Sequence, residues 1–79
     1  MNYQDVCTKF KVKMLKNADL PGADLHGVDL DSVDLYGANL SGADLRRANL
    51  RHASLVLANL RNADIRFANL YFAGKLQYP

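Results

Sequence analysis

The side chains able to do chemistry in this chain are eight aspartates, two histidines, one cysteine and ten basic residues. Spacing decides what they can do. His26 and His52 each stand without a nearby second histidine or cysteine, which a zinc site would need. Cys7 is the single cysteine, so neither an intrachain disulfide nor a CxxC metal motif exists. No Ser–His–Asp, Cys–His or paired-carboxylate arrangement is supported by the spacing. Gly22 and Gly27 lack the strand–GxxxxGK–helix context of a phosphate loop. Neither catalysis nor a cofactor is therefore expected. What remains is recognition chemistry. Arg46, Arg47 and Arg51 are followed by Val56, Leu57, Phe67, Tyr71 and Phe72, and charge beside apolar bulk suits a contact surface.

These residues are positioned by a repeat. From Ala18 to Phe72 the same five-residue unit recurs eleven times without a gap. Its third place is aliphatic: Leu20, Leu25, Leu30, Leu35, Leu40, Leu45, Leu50, Leu55, Leu60, Ile65 and Leu70. Two places earlier sits Ala or Val, and between them Asp, Asn or, at Ser54, serine. In an α-helix five residues advance about 500°, so the leucines would spiral over every side and make no stripe. A flat strand has side chains of period two, and an odd repeat would alternate its leucines between faces. One common face requires a corner in every unit. The chain must then be a solenoid whose stacked coils bury the aliphatic column together.

The tandem A(D/N)LXX units resemble the pentapeptide-repeat family. That resemblance implies an all-β fold, a right-handed β-helix of square section with four units per coil. The departures are mild: Val28 and Val33 in the small place, Ile65 for one leucine, Ser54 for one Asp or Asn. The repeat would make just under three coils, a rod about 15 Å tall at the strand spacing of a sheet. Four glycines, Gly22, Gly27, Gly37 and Gly42, fall in the last place of their units, the corner, where a positive φ is useful.

Three segments follow: a helical cap at 1–17, the β-helix at 18–72 and a tail at 73–79. In the first, Tyr3, Val6, Cys7, Phe10, Met14 and Leu15 are spaced as one helical face, with Asn2 as N-cap and Asp5 in the first turn. The helix is expected to cover the first coil and block edge pairing. A basic amphipathic membrane anchor is the rival reading, and two turns with one Phe make a poor one. In the tail, Lys75 occupies a leucine place, so the solenoid should stop near Phe72; Leu76 and Tyr78 folding back as a lower cap is one alternative, although the tail is too small to shield the last coil well.

With four units per coil, residues twenty apart stack. Asp24, Asp44 and Asp64 then form an outward column beside His26, Arg46 and Arg66, a column that could loosely hold a cation. Asn39 stacks on Asn59, Arg47 on Phe67 and His52 on Phe72, with Val56 and Leu57 on the remaining face. Charge is segregated along the chain: Asn17 to Leu45 has six aspartates and no basic residue, whereas Arg46 to Pro79 has five arginines and Lys75 against Asp64. Such sorting can select a partner or orient a dimer; ordinary solvated surface is the bland alternative. The outward aromatics fit a protein or dimer contact, packing under the tail, or, less well, stacking with nucleic acid.

The leading expectation is a non-enzymatic rigid module that docks a protein partner or its own copy, with a homodimer through the C-terminal coil as the family implies for some members. The alternative is a DNA mimic that inhibits or protects a topoisomerase such as gyrase, as certain longer relatives do, with Asp19, Asp24, Asp29, Asp31 and Asp34 as its acidic half. With no apolar run for a signal peptide or a membrane span, and one cysteine, a cytoplasmic protein is expected.

Overall fold

The computed structural model describes residues 1–10 and 14–74, with the side chain of Phe10 excepted. The backbone returns over itself every twenty residues. Parallel bridges join Asp19 to Asn39 and Asn39 to Asn59 on a first wall, and Asp24 to Asp44 to Asp64 on a second. A third wall runs Asn2, Asp29, Asn49, Asn69, and a fourth Asp34, Ser54, Gly74. Each circuit thus turns four corners. The walls are held by amide bonds between coils: Leu20 N–H donates to the Asn39 carbonyl at 2.8 Å, and Asn39 N–H to the Ala18 carbonyl at 2.8 Å. The same pair of bonds recurs at Leu25 and Asp44 and at Leu30 and Asn49.

The corner explains the five-residue period. Ala23 N–H donates to the Leu20 carbonyl across Pro21 and Gly22, and equivalent turns follow at Val28, Val33, Ala38 and onward. The third turn residue has positive φ, as a type II turn requires, and proline suits the second. Glycine fills the third place at Gly22, Gly27, Gly37 and Gly42, but Ser32, Arg47, His52, Leu57, Asn62, Phe67 and Phe72 adopt the same left-handed conformation at φ 53–65°. Stacking of the coils therefore imposes the corner even where the side chain disfavours it.

The place between the small residue and the leucine has its own task. Its side-chain oxygen accepts the N–H two residues on: Asp24 from His26, Asp34 from Tyr36, Asn39 from Ser41, Asn49 from Arg51, Asn59 from Arg61 and Asn69 from Tyr71, at 2.9–3.2 Å. This Asx turn accounts for Asp or Asn at every such place but one. Ladder bonds also run between coils, from Asn39 Nδ2 to Asp19 and from Asn49 Nδ2 to Asp29. The expected amide ladder from Asn39 to Asn59 is not among the bonds of the described residues; the Asn39 oxygen instead accepts both the Ser41 N–H and the Ser41 hydroxyl, at 3.1 and 2.8 Å.

Inside, Leu20 to Leu55 form a dry column with the small residues packed between them. Leu15 belongs to this column, 1% exposed, and Asn17 N–H donates to the Tyr36 carbonyl, so the ladder already includes the segment before Ala18. Leu60 and Leu70 are half-buried, and Ile65 is 42% exposed, because no coil lies below them among the described residues. The expected core thus loosens at its lower end.

Above the first coil sits one helix, α1, Tyr3–Phe10. Asn2 Oδ1 accepts the Asp5 N–H at 2.9 Å and Asp5 reaches back to the Asn2 N–H, a reciprocal cap. Val6 and Cys7 face the core. Met14, expected on the same apolar face, is exposed, since the helix ends before it. Lys11, Lys13, Lys75, Leu76 and Tyr78, and with them the expected lower cap, lie outside the described residues.

Candidate interaction surface

The twenty-residue return stacks outward side chains in columns. On the second wall Arg46 lies against Asp44 with both carboxylate oxygens engaged, at 2.8 and 2.7 Å, and its Nε is 3.8 Å from Asp64 one coil below. Arg66 grips Asp64 in the same two-pronged way. The Arg46 side-chain hydrogen bond holds the Asp44 carboxyl well below the usual range, and Arg66 lowers Asp64 likewise; both guanidiniums are raised in turn. Guanidiniums already fill the lower part of the column in which a cation was conceivable. Among the described residues no group of three or more histidine, cysteine or carboxylate side chains could hold a metal ion.

At the corners the arrangement is aromatic. The Arg47 guanidinium lies 5.1 Å from the Phe67 ring centroid, and Arg51 5.6 Å from that of Tyr71. His52 stacks on Phe72 at 5.7 Å, and the Tyr71 and Phe72 rings touch at 4.5 Å. Phe67 is 79% exposed, Phe72 69% and Tyr71 58%. Each ring therefore has a basic partner in the coil above and open surface elsewhere. Val56 and Leu57, the latter 60% exposed, fall on the fourth wall, apart from this group.

Two pairs of the same kind were not expected from the sequence: Arg51 over Tyr71, and Lys16 over the Tyr36 ring at 5.6 Å. Both obey the same twenty-residue offset, and Lys16 lies before the first A(D/N)LXX unit. A concavity of about 430 Å³ also opens between Leu15 and the Ser32–Asp34 corner, below Tyr3. Ser32 Oγ donates to Asp31 at 2.8 Å and His52 Nδ1 lies 3.9 Å from the same carboxylate. Serine and histidine thus both address the aspartate; a triad needs serine on histidine.

The family profile described as Pentapeptide repeats matches residues 15–47 and 43–73, in 8 copies. The chain belongs to the pentapeptide-repeat family. Among solved structures, a pentapeptide repeat protein of the cyanobacterium Cyanothece 51142 superposes with a TM-score of 0.69 at 40% identity, over 70% of this chain and 37% of that one. A pentapeptide repeat protein of the Arabidopsis thaliana thylakoid lumen gives 0.65 at 29% identity, over 75% of this chain and 55% of that one. No curated protein matches. Pentapeptide-repeat proteins fold as right-handed quadrilateral β-helices and are typically non-enzymatic structural or interaction modules; this chain spans less than two thirds of the length of either neighbour. No helix among the described residues is long and apolar enough to cross a membrane.

Proposed function

We propose that this chain is a non-enzymatic solenoid of just under three coils that docks a protein partner through the outward places of its later units. The reading rests on the exposed rings of Phe67, Tyr71 and Phe72, each braced by Arg47, Arg51 or His52. A ring fixed by stacking loses little further entropy when a partner covers it, and aromatic and arginine side chains are what protein interfaces concentrate. Its compartment is taken as the cytoplasm, since the lone Cys7 is buried and unpaired.

The test is capture from the source cell, followed by direct binding of the captured protein in purified form. Binding is expected to fall when Phe67 and Phe72 are changed together to Ser while the circular dichroism spectrum is unchanged. Binding indifferent to that change overturns the reading. A second mode, pairing through the final coil, is favoured by the exposure of Ile65. The DNA-mimic alternative has less support, because the acidic run stops at Arg46; inhibition of gyrase supercoiling by the purified chain would revive it.

A further inference from the structure

The third wall is sorted by height. Asp29 and Asp31 form its upper course, Arg51 and His52 the next, Tyr71 and Phe72 the lowest. Arg51 is stacked one coil beneath Asp31. It turns down instead, onto Tyr71, and has no carboxylate within 4.0 Å among the described residues. Its Nε is buried without an acceptor. Among the described residues the Asp29 carboxylate receives only neutral N–H groups, from Asp31 and Asn49. Asp31 has Ser32 and a long 3.9 Å approach from His52. The second wall differs, since Arg46 and Arg66 there are already neutralised by Asp44 and Asp64. Among the described residues the third wall alone thus sets aspartates that no guanidinium engages directly above an arginine with no acid.

We propose that this wall contacts the same wall of a second copy, the two rods lying side by side and antiparallel. A two-fold axis lying in the plane between the two walls, perpendicular to the rods and at a height between the Asp31 and Arg51 courses, places acid on base twice. The Tyr71–Phe72 course then lies against the Asn2 course of the other copy. A parallel side-by-side pair would set like charges together, and an end-on pair would leave both courses unmatched. The molecule measures 31 × 21 × 21 Å, so one wall offers at most on the order of 600 Å² per copy, below the ~800 Å² of a standard interface. The dimer is accordingly weak, dissociating in the micromolar range and more readily in salt. This inference rests on the docking reading and names its partner as a second copy.

The test is sedimentation equilibrium of the full chain across the micromolar range, with and without added salt. The wild type is expected to approach twice the monomer mass at low salt. Asp31→Lys and Arg51→Glu should each weaken association about tenfold or more, since every reversal acts twice in a two-fold contact. An equimolar mixture of the two variants should associate like the wild type, because the introduced lysine meets the introduced glutamate and Arg51 meets Asp31. That rescue also shows that both variants fold. A chain that stays monomeric throughout, or a dimer indifferent to both reversals, overturns the proposal. Association abolished by Ile65→Glu but untouched by Arg51→Glu overturns it in favour of end-on pairing. A monomer that still captures another protein through Phe67 and Phe72 overturns the dimer and leaves the docking reading standing.

Discussion

Ile65 lies directly beneath Leu45 in the same aliphatic column, yet Leu45 is fully buried and Ile65 is 42% exposed. The two occupy the same place in units stacked one coil apart, and differ in having a coil below. Leu45→Ala should therefore cost about 2–5 kcal/mol, as core truncations do. Ile65→Ala should cost well under half of that. Chemical denaturation of both variants checks the difference, and equal losses would mean that Ile65 is covered in solution.

Corners give a second prediction. Gly22 has φ +67° with open space around a potential Cβ, whereas a Cβ on Gly37 would meet the Asn17 side chain. Gly22→Ala should cost about 1–2 kcal/mol from left-handed strain alone, and Gly37→Ala more. Arg47, at φ 61°, is already strained, so Arg47→Gly removes that strain while losing the contact with Phe67. Its net effect on melting should be smaller than that of Gly22→Ala.

The Asx acceptors are separable from the ladder. Asp34 takes the Tyr36 N–H at 2.9 Å on an exposed surface. Asp34→Ala should cost about 0.5–1.5 kcal/mol, with Asp34→Asn close to the wild type. A loss shared equally by the two variants would point to charge rather than to the turn.

Acid should weaken the fold through the second wall. The carboxyls of Asp44 and Asp64 are held below their ordinary value by Arg46 and Arg66, so the unfolded chain takes up protons before the folded one. Their contribution is complete above the ordinary carboxylate value of about 4 and is lost as pH falls through the lowered folded values. Denaturation midpoints of the wild type should fall steeply below that point. The double variant Asp44→Asn, Asp64→Asn should show a flatter acid limb. An unchanged slope would assign acid sensitivity to other carboxyls.

Much of this surface was readable in advance, because one offset governs it. Once residues twenty apart stack, Arg47 must meet Phe67 and His52 must meet Phe72, as observed. The same rule links Arg51 to Tyr71 and Lys16 to Tyr36; the latter is hidden because no A(D/N)LXX unit marks the ladder before Ala18. The Asx turn was also encoded, in the Asp or Asn of each unit, but a side-chain oxygen declares its partner only when the backbone N–H two residues on is seen to point at it.

Sequence alone determined the period and the aliphatic column, because only a corner in every unit keeps the leucines on one face; which residues share a wall followed from the four units per coil that the family resemblance implies, after which each side chain inherits its place. Tertiary structure decided how those neighbours use one another. Arg46 takes Asp44 and Asp64, while Arg51, in the corresponding place of the next wall, lies on Tyr71 and leaves Asp31 to others. A guanidinium on a long stem can reach up or down a column at similar cost, and only the packed surroundings choose.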